Sequence, residues 1–182
     1  MKLKRFEQFI AESKVNESST IYPVVEENIF LIDDQVYTIM TITLEADVNS
    51  EEAEPEVGYA GGVSIDGWSI ESIESVTKIT EPGIAQKCQD LISNSTELGA
   101  MGIDGANAYS AIEDLVWNAD SEEVLGQELK DLQARVFELD KQGGLVDLTG
   151  SFEKRCDNAV DRELDNWEPD EPDYDDYDDD RY

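Results

Sequence analysis

The chain has 182 residues, with 44 acidic and 13 basic side chains and a formal net charge of −31 at pH 7. Repulsion on this scale disfavours contact with nucleic acid or anionic lipid and favours partners with basic surfaces. Apolar residues make up 40% of the sequence, enough for the core of one domain, so a wholly disordered chain is excluded. Histidine is absent, which excludes His-containing triads, His general bases and the common zinc sites.

The two cysteines, Cys88 and Cys156, lie far apart in the chain and form no CxxC motif. Each falls on the apolar face of a predicted helix, so we interpret both as small core residues. Free thiols in a chain with no secretory signal are typical of a reducing cytoplasm. No apolar run reaches the roughly 18 residues of a membrane-spanning helix, so we expect no membrane partner.

Charge is unevenly distributed along the chain. The first fifteen residues carry +2, the last 22 carry −10, and residues 16–160 carry −23. We therefore predict a basic amphipathic N-terminal segment (1–15), a single acidic α+β domain (16–164) and a disordered acidic tail (165–182).

The N-terminal segment has an apolar face at helical spacing, with basic residues near its start: Leu3, Phe6, Phe9 and Ile10, and Lys2, Lys4 and Arg5. A short amphipathic helix of this kind docks on a larger acidic helical assembly or packs against its own domain. The pattern leaves both alternatives open.

The same segment resembles a phage signal. Its Met-Lys start, its aromatic residues and the run Phe9-Ile10-Ala11-Glu12 before Ser13 resemble the capsid-targeting sequences of internal head proteins of T-even-like phages. Over these thirteen residues, the resemblance implies a phage origin, targeting to the prohead core through residues 1–12, and protease cleavage between Glu12 and Ser13, in the motif that Ile10 begins. Internal head proteins of this kind are often basic, whereas this chain is strongly acidic.

Residues 20–80 have the alternation and the β-branched content of strands. The longest pattern covers residues 36–44, with Val36, Met40, Ile42 and Leu44 on one face. Shorter strands are predicted at Tyr22–Val25 and Ile29–Ile32, followed by a turn at Asp33-Asp34.

Three further stretches belong to this β region. Glu45–Glu56 is rich in acidic residues, contains a proline and has no clear periodicity, so we expect an exposed loop. Asp66-Gly67 is predicted as the type I′ turn of a hairpin between Val63 and Ile70. Apolar residues recur at every third position at Ile70, Ile73 and Val76, which fits either a bulged strand or a short helix.

From Pro82 onwards the apolar period becomes helical. Four apolar stripes predict four helices: Ile84, Cys88, Leu91 and Ile92; Ala108, Ile112, Leu115 and Val116; Leu125, Leu129, Leu132, Val136 and Leu139; and Phe152, Cys156, Val160 and Leu164. Ser121 is predicted to cap the third helix, with Glu122 and Glu123 in its first turn. The leucine stripe spans barely two heptads, so packing on the protein's own core is favoured over a coiled-coil dimer. The expected fold class is α+β, a small antiparallel sheet over about 20–80 followed by a helical part over about 82–164.

The sequence contains no catalytic motif, and the glycine-rich stretch 99–105 lacks the lysine of a P-loop. We therefore expect no enzymatic activity, no cofactor and no metal site. An enzyme that uses carboxylates and a metal ion is the alternative, and it requires carboxylates that converge in a concave pocket.

Two acidic elements are candidate binding sites for a partner. Carboxylates three or four residues apart on a helix lie about 5–6 Å from each other, close to the spacing of phosphates in nucleic acid. On this basis we select Glu128, Asp131 and Glu138, with an ordinary solvated helix face as the alternative. In the tail, aromatic rings among carboxylates suit a basic groove, and the composition resembles the acidic tails of single-stranded-DNA-binding proteins. The tail residues selected are Trp167, Asp170, Asp173, Tyr174, Asp176, Tyr177 and Asp179.

These features together predict a non-enzymatic, phage-encoded acidic protein that inhibits a host DNA-binding or defence enzyme. It would occupy a basic protein surface as a DNA mimic does, and would not bind nucleic acid itself. We expect it in the interior of the phage head, in the host cytoplasm, or in both in turn if it is packaged and injected. The alternative is a virion structural or scaffold-associated protein of the phage head, whose acidity prevents adhesion to packaged DNA.

Overall fold

The structure, a computed structural model, describes residues 18–51, 62–100 and 106–167. The strands in these ranges are β1 (Ser18–Ile21), β2 (Val24–Ile32), β3 (Gln35–Glu51), β4 (Gly62–Ile79), β5 (Ser121–Glu123) and β6 (Val146–Asp147). The helices are α1 (Ile84–Ala100), α2 (Ala106–Trp117), α3 (Gly126–Lys141) and α4 (Phe152–Asp165). The described strands form one antiparallel sheet in the order β5–β4–β3–β2–β6, with β1 beside the far part of β3.

This architecture confirms the predicted α+β class, an antiparallel sheet followed by helices. The two short strands predicted at Tyr22–Val25 and Ile29–Ile32 fall largely within a single strand, β2, which begins at Val24 and ends at Ile32. The sequence did not predict β5 and β6, which lie within the helical part of the chain. They add three and two residues to opposite edges of the sheet, β5 beside β4 and β6 beside β2.

The turn between β2 and β3 consists of Asp33 and Asp34, as predicted. Ile32 pairs with Gln35 across it, and the two aspartates have positive φ angles of 48° and 62°. Positive φ at both central residues is typical of a type I′ turn, whose twist matches that of the flanking strands. Aspartate tolerates the left-handed conformation better than most residues, which allows two of them to stand in succession here.

The predicted loop at Glu45–Glu56 is wrong in its first part, because β3 continues to Glu51 and pairs with both β1 and β4. Residues 52–61 lie outside the described ranges. Ala46 and Val48 are buried, at 1% and 0% exposure, so the alternation of the strand persists. Acidic residues occupy the intervening positions and conceal this alternation in the sequence.

The predicted hairpin at Asp66-Gly67 is also wrong, since both residues lie inside the continuous strand β4. A type I′ turn requires positive φ at both central residues, and of the two only Gly67 has it, at 152°. The pair instead forms a bulge. The register shifts where Asp66 and Gly67 together oppose Asp47 of β3.

One row of residues crosses β2, β3 and β4 and reverses the side-chain direction of all three strands. Glu27 and Ser75 in this row have positive φ, 56° and 53°, and Met40 lies between them in register. In β3, for example, the odd-numbered Ile39 on one side of the row and the even-numbered Ile42 on the other both enter the large core. Without the reversal, an odd- and an even-numbered residue of one strand would point to opposite faces of the sheet. A second shift, at Glu71, explains why the large core receives an apolar residue at every third position of β4. A bulged strand is therefore the correct alternative there.

Two cores lie on opposite faces of the sheet. The large core is formed by most of the sheet together with α3 and α4: Val25, Phe30, Ile32, Ile39, Ile42, Leu44, Ala46, Val48, Ile70, Ile73, Val76, Leu132, Val136, Phe152, Cys156 and Val160 are among its members. The small core is formed by α1 and α2 with one end of the sheet: Ile29, Val36, Ile79, Ile84, Cys88, Ile112, Val116 and Leu148. Both cysteines are free and buried, which confirms their interpretation as core residues.

The start of α3 differs from the prediction. Ser121 and the two glutamates after it form β5, and the helix begins only at Gly126, with Leu125 at its N-cap. Leu125 is 62% exposed and lies outside the apolar stripe to which it was assigned. The next helix, α4, has a side-chain cap that the sequence did not reveal, because Asp147 Oδ2 accepts a hydrogen bond of 2.8 Å from the amide of Phe152.

Candidate functional site

Several predicted site residues lie outside the described ranges. These are the N-terminal residues Ile10, Glu12 and Ser13 and the tail residues Asp170, Asp173, Tyr174, Asp176, Tyr177 and Asp179. Trp167 is described, and its ring is partly buried against the large core. Its amide donates to the carbonyl of Leu164, 3.1 Å away, so Trp167 belongs to the end of α4 and not to an extended tail.

The three carboxylates selected on α3 are exposed and share one side of the helix, but each has a partner. Glu128 pairs with Lys78 of β4 at 3.4 Å, and Asp131 accepts a hydrogen bond of 2.8 Å from Gln127. Glu138 pairs with Arg135 at 2.6 Å. Basic side chains thus offset the charge of Glu128 and Glu138, whereas Asp131 is bonded to a neutral amide, so α3 presents a mixed surface and not a row of free carboxylates.

A group of carboxylates without a described ion pair lies on the sheet. Beyond the Glu27–Met40–Ser75 row, alternate side chains of β3 enter the large core together with Val25 of β2 and with Ile70 and Ile73 of β4. The intervening side chains form a face that no described helix covers. We call this surface the open sheet face: Val24, Glu26, Thr41, Thr43, Glu45, Asp47, Ser69, Ser72 and Glu74. Its composition is hydroxyls and carboxylates, with a single aliphatic residue.

No basic side chain offsets these acids in the described structure. The sequence has no Lys or Arg between residues 18 and 77, which contain thirteen acids, and Lys78 is paired with Glu128. The described ion pairs include none of the carboxylates of the open sheet face. Asp47 accepts a hydrogen bond of 3.0 Å from the Thr20 hydroxyl, which orients its carboxylate without neutralising it. Arg155 reaches β2, but its guanidinium binds the carbonyl oxygens of Glu26 and Glu27.

The register fixes how far apart these charges lie. Glu26, Thr41 and Glu74 occupy one row across three strands, so the two glutamates are about 10 Å apart at Cα. Glu45 and Asp47 are two residues apart on the same face of β3, at a separation of about 7 Å. The grooves of B-DNA, which separate its phosphate backbones, are about 6 and 12 Å wide. The open sheet face therefore spaces negative charge on the scale of a duplex surface.

Comparison of the chain with protein-family models, with curated proteins and with solved structures finds no match. Among the described helices, none is long and apolar enough to cross a membrane. Within the same ranges, no three Cys, Asp or Glu side chains converge in a way that would hold a metal ion. A shallow groove between α1 and α2 is lined by Glu81, Ile84, Ala111, Asp114, Leu115 and Asn118.

The open sheet face was not predicted from the sequence, although a signal for it is present there. The long stretch without Lys or Arg is unusual beside helices in which bases and acids alternate. The local patterns in this stretch predict a loop at Glu45–Glu56 and a hairpin at Asp66-Gly67, and these two predictions divide the face into separate pieces. Its four carboxylates, Glu26, Glu45, Asp47 and Glu74, come together only when β3 and β4 are recognised as long strands in register.

Proposed function

We propose that this protein is a non-enzymatic, phage-encoded acidic inhibitor that occupies the basic nucleic-acid-binding surface of a host enzyme. The observation that carries the proposal is the open sheet face, whose carboxylates lie in register without any described basic partner. A cationic cleft gains from such a surface because ordered anions displace its counterions, as a nucleic acid would. The phage origin rests on the resemblance of residues 1–13 alone.

The geometry favours the sheet over α3 as the main contact. Paired carboxylates must break an ion pair before they meet a new partner, whereas those of the open sheet face need only lose water and counterions. The sheet also holds its side chains at fixed spacing, so less conformational freedom is lost on binding. Hydroxyls between the acids, such as Thr41 and Thr43, add hydrogen-bond donors and acceptors that suit the edges of a polar cleft.

The test is capture of proteins from a bacterial host lysate on the immobilised full-length chain. The face variant carries Glu26→Gln, Glu45→Gln and Glu74→Gln. The control variant carries Glu113→Gln, Glu163→Gln and Asp165→Asn on helices, and has the same net charge. We expect wild type and control to retain a nucleic-acid-binding protein that a DNA duplex displaces, and the face variant to lose it.

Salt supplies a second measurement on the same beads. Retention should fall steeply between low and high salt, because exposed charges are screened and counterion release weakens. Equal losses in the face and control variants would show that net charge alone attracts the partner. Retention that neither a DNA duplex nor salt reduces would contradict the proposal. A variant that ends at Trp167 measures the contribution of residues 168–182 separately.

Packaging in the phage head is tested independently of inhibition. Mass spectrometry of purified virions should detect the protein with Ser13 as its first residue, if residues 1–12 act as a targeting segment that is removed. Absence from virions would restrict the protein to the infected cell. Abundant protein in virions together with no captured host partner would favour the alternative, a structural or scaffold-associated protein of the head.

A further inference from the structure

Over most of its length, the outer edge of β4 has no described strand beside it. Across its inner edge, β4 pairs with β3 from Gly62 to Lys78. Across its outer edge, β5 pairs only with Thr77–Ile79, and the amide of Val124 donates to the carbonyl of Val76 at 2.8 Å. Among the described strands, none lies beyond the portion 62–75, which is about 45 Å long at a strand rise of about 3.3 Å per residue.

Exposed strand edges pair with other chains unless they are interrupted. Two interruptions are present here, the bulges at Asp66-Gly67 and at Glu71. They divide the edge without covering it. Val63, at the start of the strand, is 47% exposed.

The two sides of this edge differ in chemistry. On the open sheet face, the edge presents Glu74 and two serines, with Glu45 one strand further in. On the opposite side, the partly buried rings and chains of Ile65 and Trp68 border the large core. Trp68 is held there by a hydrogen bond of 2.9 Å from Nε1 to Asp157. A strand added to this edge would therefore meet acid on one side and apolar surface on the other.

We propose that the outer edge of β4, between Gly62 and Glu74, binds an extended segment of a partner protein as an added strand in which basic and apolar residues alternate. The inference deepens the proposed function and rests on it for the identity of the partner as a basic protein. Main-chain hydrogen bonds supply affinity in this mode, and alternate side chains supply specificity. Successive side chains of a strand point to opposite faces, which is why the partner's bases would recur at every second residue.

Charge favours a basic segment of a partner over a second copy of this chain and over the acidic residues 168–182. A second copy of the chain would bring the same glutamates against each other at a net charge of −31 each, which opposes edge-to-edge pairing. Residues 168–182 are acidic and are repelled in the same way. Residues 1–15, at net +2, are the basic part of this chain. Removal of residues 1–12 distinguishes binding of this segment from binding of an outside partner.

The experiment uses a fluorescent peptide of nine residues in which Lys or Arg alternates with Val or Ile, titrated with the full-length protein by anisotropy. Two N-methylated forms of the peptide are compared, each blocking the amides of one alternating set. Only one set can face β4, so one form should lose binding at least tenfold and the other should bind as the parent does. A scrambled peptide of equal charge is the matched control, and it should also bind at least tenfold more weakly.

Protein variants locate the site. Glu71→Gln with Glu74→Gln should weaken the peptide severalfold, whereas Glu113→Gln with Glu163→Gln should not. Hydrogen exchange should show new protection of amides within residues 62–74 when the peptide is bound. Equal binding of both N-methylated forms, or of the scrambled peptide, would overturn strand addition and leave DNA-competed capture on the open sheet face unaffected. Peptide binding that appears only after residues 1–12 are removed would show that this segment occupies the edge of β4 in the full-length chain. A dimer formed through β4 would show that a second copy of the chain is the occupant. Either result overturns the proposal.

Discussion

Arg135 of α3 donates two hydrogen bonds to the carboxylate of Asp33, the first residue of the turn between β2 and β3. The Nε atom lies 2.9 Å from Oδ2 and the Nη2 atom 2.8 Å from Oδ1. The two residues are 102 positions apart in the sequence. A planar guanidinium that faces both oxygens fixes direction as well as distance, so this contact orients α3 relative to the turn.

Replacement of Arg135 by lysine should lower the melting temperature at pH 7, because an ammonium group cannot make both hydrogen bonds at once. The hydrogen bonds from Arg135 hold the pKa of Asp33 below its usual 3.8. A depressed pKa stabilises the fold above pH 3.8, and this contribution is lost as the pH falls through the native value. The difference in melting temperature between Arg135→Lys and wild type should therefore shrink in melts recorded well below pH 3.8.

Asp33→Asn serves as the control for that pair, since asparagine also tolerates the positive φ of this position. It should lower the melting temperature at pH 7 in wild type and have little further effect in the Arg135→Lys background. Additive losses in the double variant would show that the two side chains act separately.

Asp34→Gly should stabilise the protein by about 0.5–1 kcal/mol, because glycine adopts positive φ without the steric cost that a side chain brings. The only described side-chain contact that it removes is a long hydrogen bond of 3.4 Å from Gln89. Urea denaturation measures the change in the free energy of unfolding. Asp33→Gly has the same effect on the backbone but loses Arg135, so it should gain less than Asp34→Gly; equal gains would contradict the importance of the Arg135 contact.

Gly150→Ala should destabilise the protein by roughly 2–3 kcal/mol, from overpacking together with positive φ. A Cβ atom at this position would overlap the ring of Tyr109 in α2, and the φ of Gly150 is 64°. Gly143→Ala is a matched control, because its φ is also 64° and nothing lies within 4 Å of the added carbon. It should lose only about 1 kcal/mol, the cost of the backbone alone. Similar losses in the two variants, again by urea denaturation, would exclude a tight contact at Tyr109.

Both thiols should resist alkylation in the folded protein. Burial raises the pKa of Cys156 to about 12 and raises that of Cys88 as well, so neither forms the reactive thiolate at pH 8. Iodoacetamide should modify both only after unfolding in guanidinium. A Ser93→Cys variant places a thiol on the exposed side of α1 and should react quickly in the native state. Native reaction of Cys156 at a comparable rate would show that the large core opens readily.

The strand and helix periods were readable from the sequence because they are local. The β2–β3 turn and four helical stripes needed only neighbouring residues to be recognised. The bulge at Glu71 and the positive φ angles at Glu27 and Ser75 were not readable, since each changes the face that the following residues occupy without leaving a local signal. The strands β5 and β6 are too short to have a period and form only because β4 and β2 offer them edges.

The acidic character of the site could be predicted from the sequence, but the positions of the carboxylates without basic partners could not. Whether a carboxylate is offset depends on partners far along the chain, such as Lys78 for Glu128, 50 residues away. The sequence therefore favoured α3, where acids recur at helical spacing. In the structure, the carboxylates without basic partners on the sheet come from three strands, and only the pairing of these strands brings them onto one face.

The row of Glu27, Met40 and Ser75 has a consequence for how the protein tolerates change. On one side of it the sheet is enclosed by helices on both faces, and there a substitution disturbs folding. On the other side no described helix covers one of the two faces, and side chains there can be exchanged with little effect on the folded state. Affinity for a partner can thus be altered at one end of the molecule while its thermal stability is governed at the other.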